Sequence, residues 1–175
     1  MKAHKKRKLG FYPEDPAINK NSFLQCSWTD FNRGAEESIP VNMSVARGNF
    51  VSMHCFVGAD HAGYTEMRQS QTTILLFCKS VPIIWFINRQ NSFEASMFVS
   101  EFTAMKNSVE IIESLQYKLR MFGVPINVAT NIFCDNNAVC VKTTRPDSTL
   151  SKKHHIITYH CALKAVETGT FRVSK

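Results

Sequence analysis

The sequence lacks the features that mark secreted and membrane-spanning proteins. No window reaches the roughly eighteen uninterrupted apolar residues of a membrane span, and the lysine-rich start has no apolar stretch like that of a signal peptide. The six cysteines contain no Cys-x-x-Cys pair, and several lie in apolar runs, where a thiol packs as a small hydrophobic group. We therefore expect reduced cysteines, an intracellular location in the cytoplasm or nucleus, and no membrane partner.

The overall composition is that of one modest domain with a tail. The chain has 175 residues, of which 44% are hydrophobic and 20% are charged, so it can bury a core. Its net charge of +7 favours a polyanionic partner such as a nucleic acid, although many basic domains bind none.

The periodicity of the hydrophobic residues changes near residue 50. Residues 1–50 show neither helical nor strand periodicity and contain prolines and glycines among polar residues, which predicts an irregular connector. Residues 51–175 are periodic. They predict one domain.

Residues 51–175 read as an α/β domain with a mixed sheet. Three strand-like segments predict an antiparallel meander, and apolar residues at spacings of three and four then predict a long helix over 97–122. A short strand, two helices and a final strand should follow. The predicted bounds are 51–58, 72–78 and 81–87 for the meander, then 131–134, 136–143, 150–167 and 171–173.

Two acidic positions stand out in this pattern. Glu101 lies at the head of the long helix, and Asp135 follows the short strand. Metal-dependent nucleases bring such scattered carboxylates together, because two magnesium ions roughly 4 Å apart need several anionic oxygens. A third acid should end the first strand, but Gly58 stands there.

The motifs resemble the ribonuclease H domain at the end of copia-type retrotransposon polyproteins. The resemblance covers about residues 28–175 and rests on five motifs in the family's order. The family's Asp-Ala-Asp-x-Ala-Gly is similar to residues 58–63, its Arg-Arg-Ser-x-x-Gly to 68–73, its Trp-x-Ser-Lys-x-Gln to 85–90, its Glu-x-x-Ala to 101–104 and its Asp-Asn to 135–136. The later pairs Lys153-His154 and Tyr159-His160 look like a further family segment.

The resemblance implies a ribonuclease H-like mixed sheet and cleavage of RNA in RNA·DNA hybrids with two Mg²⁺ ions held by four carboxylates. It carries Glu101 and Asp135 over as catalytic metal ligands. The family's first aspartate falls on Gly58, and its fourth acid would lie beyond Lys175. We therefore expect a remnant whose catalysis is impaired or absent, with a reverse transcriptase domain as a possible partner.

Asp60 is the candidate substitute for the missing acid. Residues two apart in a strand point to the same face, but they are about 6.6 Å apart, which is far for a shared Mg²⁺ ion. An active nuclease that uses Asp60 is thus the third hypothesis.

A non-catalytic module that binds nucleic acid is the second hypothesis. Basic and polar side chains that would contact phosphates or 2′-hydroxyl groups are Arg89, Lys142, Lys152, Lys153, His154 and Asn136. The cluster of His154, His155 and His160 lacks a companion cysteine or acid at the spacing of a zinc site, which favours surface or hybrid-contacting histidines.

Overall fold

A five-stranded sheet with the strand order β3-β2-β1-β4-β5 lies at the centre of the computed structural model. The structure describes residues 36, 37, 39–64, 69–91, 96–145 and 156–175. The elements in chain order are β1 (Met53–Tyr64), β2 (Gln69–Cys78), β3 (Val81–Arg89), α1 (Met97–Met121), β4 (Thr130–Cys134), α2 (Asn137–Thr144), α3 (Ile156–Glu167) and β5 (Phe171–Ser174).

The sheet is mixed, as the sequence predicts. β1 pairs antiparallel with β2, and β2 pairs antiparallel with β3, which confirms the meander. β4 pairs parallel with β1, and β5 pairs parallel with β4. A parallel pair requires a crossover connection, and α1 lies in the connection between β3 and β4. The predicted α/β class is confirmed.

One face of the sheet carries the core. Alternate residues of four strands, among them Cys55 and Val57 of β1, are buried there beneath apolar residues from all three helices. Phe102, Met105 and Ile112 of α1 are at most 2% exposed. The apolar stripe of α1 therefore packs on the sheet as its spacing indicates.

The opposite face of the sheet carries an apolar row that the described residues leave open. Phe56 pairs in register with Leu75, and Leu75 pairs with Trp85, so the three side chains lie side by side on neighbouring strands. Trp85 is 70% exposed and Phe56 is 47% exposed. Phe133 of β4 stacks on Phe56 with a ring-centroid distance of 5.1 Å, which extends the row across four strands.

The ends of α1 agree with the sequence prediction to within one residue. Ser96 is the N-cap, although its hydroxyl makes no capping hydrogen bond, and its backbone carbonyl accepts from Val99 and Ser100. Gly123 ends the helix with φ +77°, a left-handed conformation that favours glycine. Phe122, which the periodicity includes in the buried stripe, is 82% exposed because the helical spacing stops at the cap.

β1 is longer than predicted. It continues past Gly58 to Tyr64, because Gly58, Ala59 and Asp60 remain paired with β2 through Thr73, Thr72 and Gln71. The register shifts only between Asp60 and Tyr64. The Asp60 region is therefore a strand interior and not a strand end.

Much of the predicted connector lies outside the described residues, so its boundary near residue 50 stays a prediction. Within it, residues 39–52 contain no helix or strand. Glu37 contacts the end of α1, where its carboxylate accepts a hydrogen bond from Nη2 of Arg120 at 2.9 Å. No helix in the described parts of the chain is long and apolar enough to cross a membrane.

Gln90 ties the meander to the first turns of α1. Its Nε2 donates to Oγ1 of Thr72 at 3.0 Å and to the backbone carbonyl of Ser100 at 2.8 Å, and the side chain is 97% buried. Both bonds are shielded from water, so losing them leaves buried acceptors without their donor. Gln90 thus fixes the helix at the residue that precedes Glu101.

Replacing Gln90 should destabilise the domain. We expect Gln90→Ala to lower the free energy of unfolding by about 2–3 kcal/mol, because two buried hydrogen bonds are lost and a cavity remains. Urea denaturation of both proteins measures this difference. The matched control is Asn88→Ala, two residues earlier in β3, since Asn88 is exposed and should change stability by no more than about 0.5 kcal/mol. Equal effects of the two substitutions would contradict the role assigned to Gln90.

Candidate metal centre

The site begins with the parallel pairing of β1 and β4. Val57 pairs with Cys134, so the next residues of the two strands, Gly58 and Asp135, come out side by side. Both line one groove on the open side of the sheet, next to Phe133 and Lys175. Two predicted positions of the site are therefore brought together by strand register alone.

Glu101 reaches the same place from α1. It lies one turn into the helix and is 4% exposed, whereas Asp135 is exposed. Donor atoms of Glu101, Cys134 and Asp135 all lie within 4.8 Å of one another. The structure thus brings together the two carboxylates that the sequence singles out, and it adds a thiol. That these side chains hold a metal ion stays a prediction.

Burial controls the charge of Glu101. Removal from water, reinforced by the nearby negative charge of Asp135, raises the pKa of Glu101 from 4.5 to about 7, against a backbone hydrogen bond from Ala59 that favours the charged form. About half of the molecules therefore carry a proton on Glu101 at neutral pH. A cation between the two carboxylates would remove this penalty.

Cys134 is the member of the cluster that the sequence prediction missed. Its Sγ lies 4.0 Å from Oε2 of Glu101. Its contact with the Cys140 thiol and its burial raise the pKa of Cys134, so it is a neutral thiol at pH 7. The Sγ of Cys140 donates to the backbone carbonyl of Cys134 at 3.5 Å. The only indication in the sequence was that Cys134 immediately precedes the predicted ligand Asp135.

Gly58 leaves an open position in this centre. A Cβ atom built on Gly58 would meet no other atom within 4 Å. Space for a side chain therefore exists where the resemblance places the family's first aspartate. The glycine at that position has no carboxylate.

Asp60 is not brought into the cluster. Among the described residues the close group consists of Glu101, Cys134 and Asp135. Asp60 is exposed and remains paired with Gln71 of β2, and the register shift in β1 comes only after it.

Two of the predicted nucleic-acid contacts lie at separate places on the described surface. Arg89 is exposed at the end of β3, and Lys142 is half-buried on α2. The predicted contacts Lys152, Lys153 and His154 lie outside the described residues.

Asn136, also a predicted contact, is the N-cap of α2. Its Oδ1 accepts from the backbone N–H groups of Ala138 at 3.0 Å and Val139 at 3.4 Å. Only its amide nitrogen is left for a ligand. Asn136, and not Asp135, is therefore the residue that caps α2.

The alternative histidine metal site is represented only by His160, which is exposed on α3. His155, like His154, falls outside the described part of the chain. The metal-ligand geometry among the described residues lies instead at Glu101, Cys134 and Asp135.

The donor set fits one divalent ion better than two. Two carboxylates with water can hold one Mg²⁺ ion, whereas a pair of ions needs further anionic oxygens between them. Gly58 supplies none, and the third nearby donor is a sulfur atom, which Mg²⁺ does not favour. Glu101 and Asp135 are the residues that would hold an ion.

Solved structures with this fold are ribonucleases H. LC11-RNase H1, isolated from compost, matches 69% of this chain and 81% of its own with a TM-score of 0.50 and 10% identity. The same protein in complex with an RNA/DNA hybrid matches 70% of this chain and 83% of its own with a TM-score of 0.51 and 8% identity. The chain therefore has the ribonuclease H fold.

The relatives in sequence are retrotransposon proteins. Two retrovirus-related Pol polyproteins of Arabidopsis thaliana, from transposons RE2 and RE1, are each 25% identical to this chain over 127 residues. The match covers 73% of this chain and 9% of each polyprotein. No protein-family model matches the chain. The resemblance to the ribonuclease H-like domain of a copia-type retrotransposon polyprotein is confirmed.

The raised pKa of Glu101 predicts how stability depends on pH. The folded protein keeps this proton up to about pH 7, whereas the unfolded chain releases it near pH 4.5. Raising the pH through this interval therefore lowers the free energy of unfolding, by up to about 3 kcal/mol. Glu101→Gln removes the titration, so it should be more stable than the parent at pH 8 and similar to it at pH 4.5.

Urea denaturation in metal-free buffer at several pH values tests this expectation. Glu110→Gln is the control, because Glu110 lies on the outer side of α1 in an ion pair with Lys106 and such pairs contribute little. A parent protein whose stability is flat from pH 5 to pH 8, or a Glu101→Gln variant that is less stable than the parent at pH 8, would rule out the burial penalty.

Proposed function

We propose that this protein is a domain derived from ribonuclease H that binds RNA·DNA hybrids and whose hydrolytic activity is strongly impaired. The observation that carries the proposal is the composition of the candidate metal centre. Glu101 and Asp135 meet at the end of the β1–β4 pair, and the position between the strands that should add a carboxylate is Gly58.

Hybrid binding is supported by the fold and by charge. LC11-RNase H1, which shares the fold, has been solved with an RNA/DNA hybrid. Residues 51–175 contain 13 Lys and Arg against 9 Asp and Glu, a net charge of +4. Hybrids are recognised by shape, phosphates and 2′-hydroxyl groups and not by base sequence. Arg89 and Lys142 would therefore position the backbone of the duplex.

Impaired cleavage follows from what the centre lacks. When divalent ions are bound, they activate water and neutralise charge on the phosphate. Glu101 and Asp135 would hold one ion at the edge of the groove, and Gly58 offers no ligand for a second. The loss of interactions worth about 2.7 kcal/mol in the transition state slows a reaction by about 100-fold.

The two other hypotheses make different predictions. A non-catalytic module would bind duplexes as well but would gain no cleavage when a carboxylate is restored at position 58. An active nuclease that uses Asp60 is supported less, because Asp60 is exposed and lies outside the close group of donors.

A reverse transcriptase domain is the proposed neighbour, and an intracellular site of action follows from that proposal. The relatives are Pol polyproteins, and this chain spans about 9% of their length.

Hybrid binding should be electrostatic. We expect an RNA·DNA hybrid to be retained in filter binding at low salt, with affinity falling steeply as salt rises, because cations on phosphates are released on binding. Arg89→Gln and Lys142→Gln should each weaken binding and reduce the salt slope by about 1. Lys106→Gln is the charge-matched control and should do neither, because Lys106 is paired with Glu110 on α1. Hybrid retention that does not change with salt concentration would refute the binding model, and so would the absence of retention at low salt.

Restoring the missing carboxylate should raise cleavage. In Mg²⁺ we expect the unaltered chain to cleave hybrid at least ~100-fold more slowly than an intact ribonuclease H of the same fold, and Gly58→Asp to recover part of that loss. The new side chain has room, since a Cβ at this position meets nothing within 4 Å.

Gly58→Asn is the control for this experiment, because it has the same shape as Gly58→Asp without the negative charge. Adding Glu101→Gln to Gly58→Asp should abolish the gain. Rapid Mg²⁺-dependent cleavage by the unaltered chain, lost on Asp60→Asn, would establish the active-nuclease hypothesis in place of this one.

A further inference from the structure

The donor atoms of the candidate metal centre include a sulfur atom, which the Mg²⁺ ion of this fold does not favour. Mg²⁺ prefers oxygen ligands in near-octahedral geometry, and it avoids sulfur. One of the three close donors is Sγ of Cys134, which lies 4.0 Å from Oε2 of Glu101. A second thiol, that of Cys140, contacts the backbone of Cys134.

We propose that Glu101, Cys134 and Asp135 form a binding site for a single thiophilic divalent ion of the Zn²⁺ type, held in preference to Mg²⁺. The inference deepens the proposed function by naming the ion of the same centre, but it does not depend on hybrid binding. Two carboxylate oxygens and one thiolate are three protein ligands, and water supplies the fourth position of a tetrahedron.

The distances suit such an ion after a small adjustment. Zinc lies about 2.3 Å from a thiolate sulfur and about 2.0–2.2 Å from a carboxylate oxygen, so ligands of a tetrahedral site are about 3.5 Å apart. The Sγ of Cys134 is 4.0 Å from Oε2 of Glu101, and all three donors lie within 4.8 Å. The donors would have to come up to about 1 Å closer to one another to complete the site.

The rest of the structure gives the site both rigidity and access. Cys134 is held in β4 and Glu101 in α1, which Gln90 ties to the meander, so two of the three ligands come from fixed elements. The exposed carboxylate of Asp135 and the missing side chain of Gly58 leave the centre open to the groove. An ion can therefore enter from solvent although Cys134 and Glu101 are buried.

Binding of the metal ion releases protons from its ligands. The Cys134 thiol must lose its proton when the metal–sulfur bond forms, and any proton on Glu101 leaves as well. These protons go to the solvent, and no electron is transferred. Zn²⁺ itself is the only co-reactant, and it has no redox chemistry.

The test uses metal titration of the full chain without nucleic acid. We expect one Zn²⁺ or Cd²⁺ per chain, bound in the presence of a large excess of Mg²⁺. With Cd²⁺ the ultraviolet spectrum should show thiolate-to-metal charge transfer, a signal that histidine sites elsewhere in the chain would not give. Zn²⁺ should also raise the midpoint of thermal unfolding, because an ion that binds only the folded state stabilises it.

Variants assign the ligands. Cys134→Ser should remove the charge-transfer band and weaken Zn²⁺ binding by more than ~100-fold, since even residues that only support a metal ligand cost 10–100-fold. Glu101→Gln keeps the thiol and should also weaken binding, so the proposal stays testable if Cys134→Ser fails to fold. Cys161→Ser is the matched control, because Cys161 is a half-buried thiol on α3 and should leave stoichiometry and spectrum unchanged.

Three outcomes would overturn the proposal. They are the absence of a charge-transfer band in the folded parent, a band that survives Cys134→Ser, and displacement of bound Zn²⁺ by millimolar Mg²⁺. Hybrid retention measured in the presence of a chelator is the separate readout for the proposed function. A protein that binds hybrid but no Zn²⁺ would refute only the metal inference, and one that binds Zn²⁺ but no hybrid would refute only the function.

Discussion

The parallel pairing of β1 with β4 is the constraint on which the site depends. Parallel strands align their carboxyl ends, so position 58 of one strand and position 135 of the next must be neighbours whatever residues occupy them. The long helix then fixes Glu101 over this edge through its packed stripe and through Gln90. Strand register and the packing of α1 therefore bring position 58, Asp135 and Glu101 to one edge of the sheet.

Placing Glu101 beside Asp135 in a buried position costs free energy. A carboxylate that is 4% exposed next to Asp135 is unfavourable without a counter-charge, which is why Glu101 takes up a proton near neutrality. Core residues around it are packed for stability and gain nothing from that charge. Buried acids with a pKa raised in this way are common at functional sites, and here the acid lies at the same edge of the sheet as Gly58 and Asp135.

The sequence was sufficient for the elements and the class because their signals are local. The stripe from Phe102 to Ile112 and the stop at Gly123 predict α1 without reference to any other part of the chain. The extension of β1 to Tyr64 could not be read in this way, because it depends on pairing with β2. Cys134 was missed for a similar reason. Its apolar strand context predicts a packed thiol, and only the approach of Glu101 from a distant helix turns that thiol into a possible ligand.

The order of the strands along the chain also determines the stage of folding at which the site can form. β1, β2 and β3 are joined by short connections and can pair early, whereas His54 and Asn131, which pair across β1 and β4, are separated by the meander and the whole of α1. Contacts between segments so far apart carry the largest loop-closure cost and form late in folding. The three donor side chains meet only after this closing step. An ion bound by these side chains would stabilise only the folded protein. It would therefore slow unfolding without changing the rate at which the meander forms.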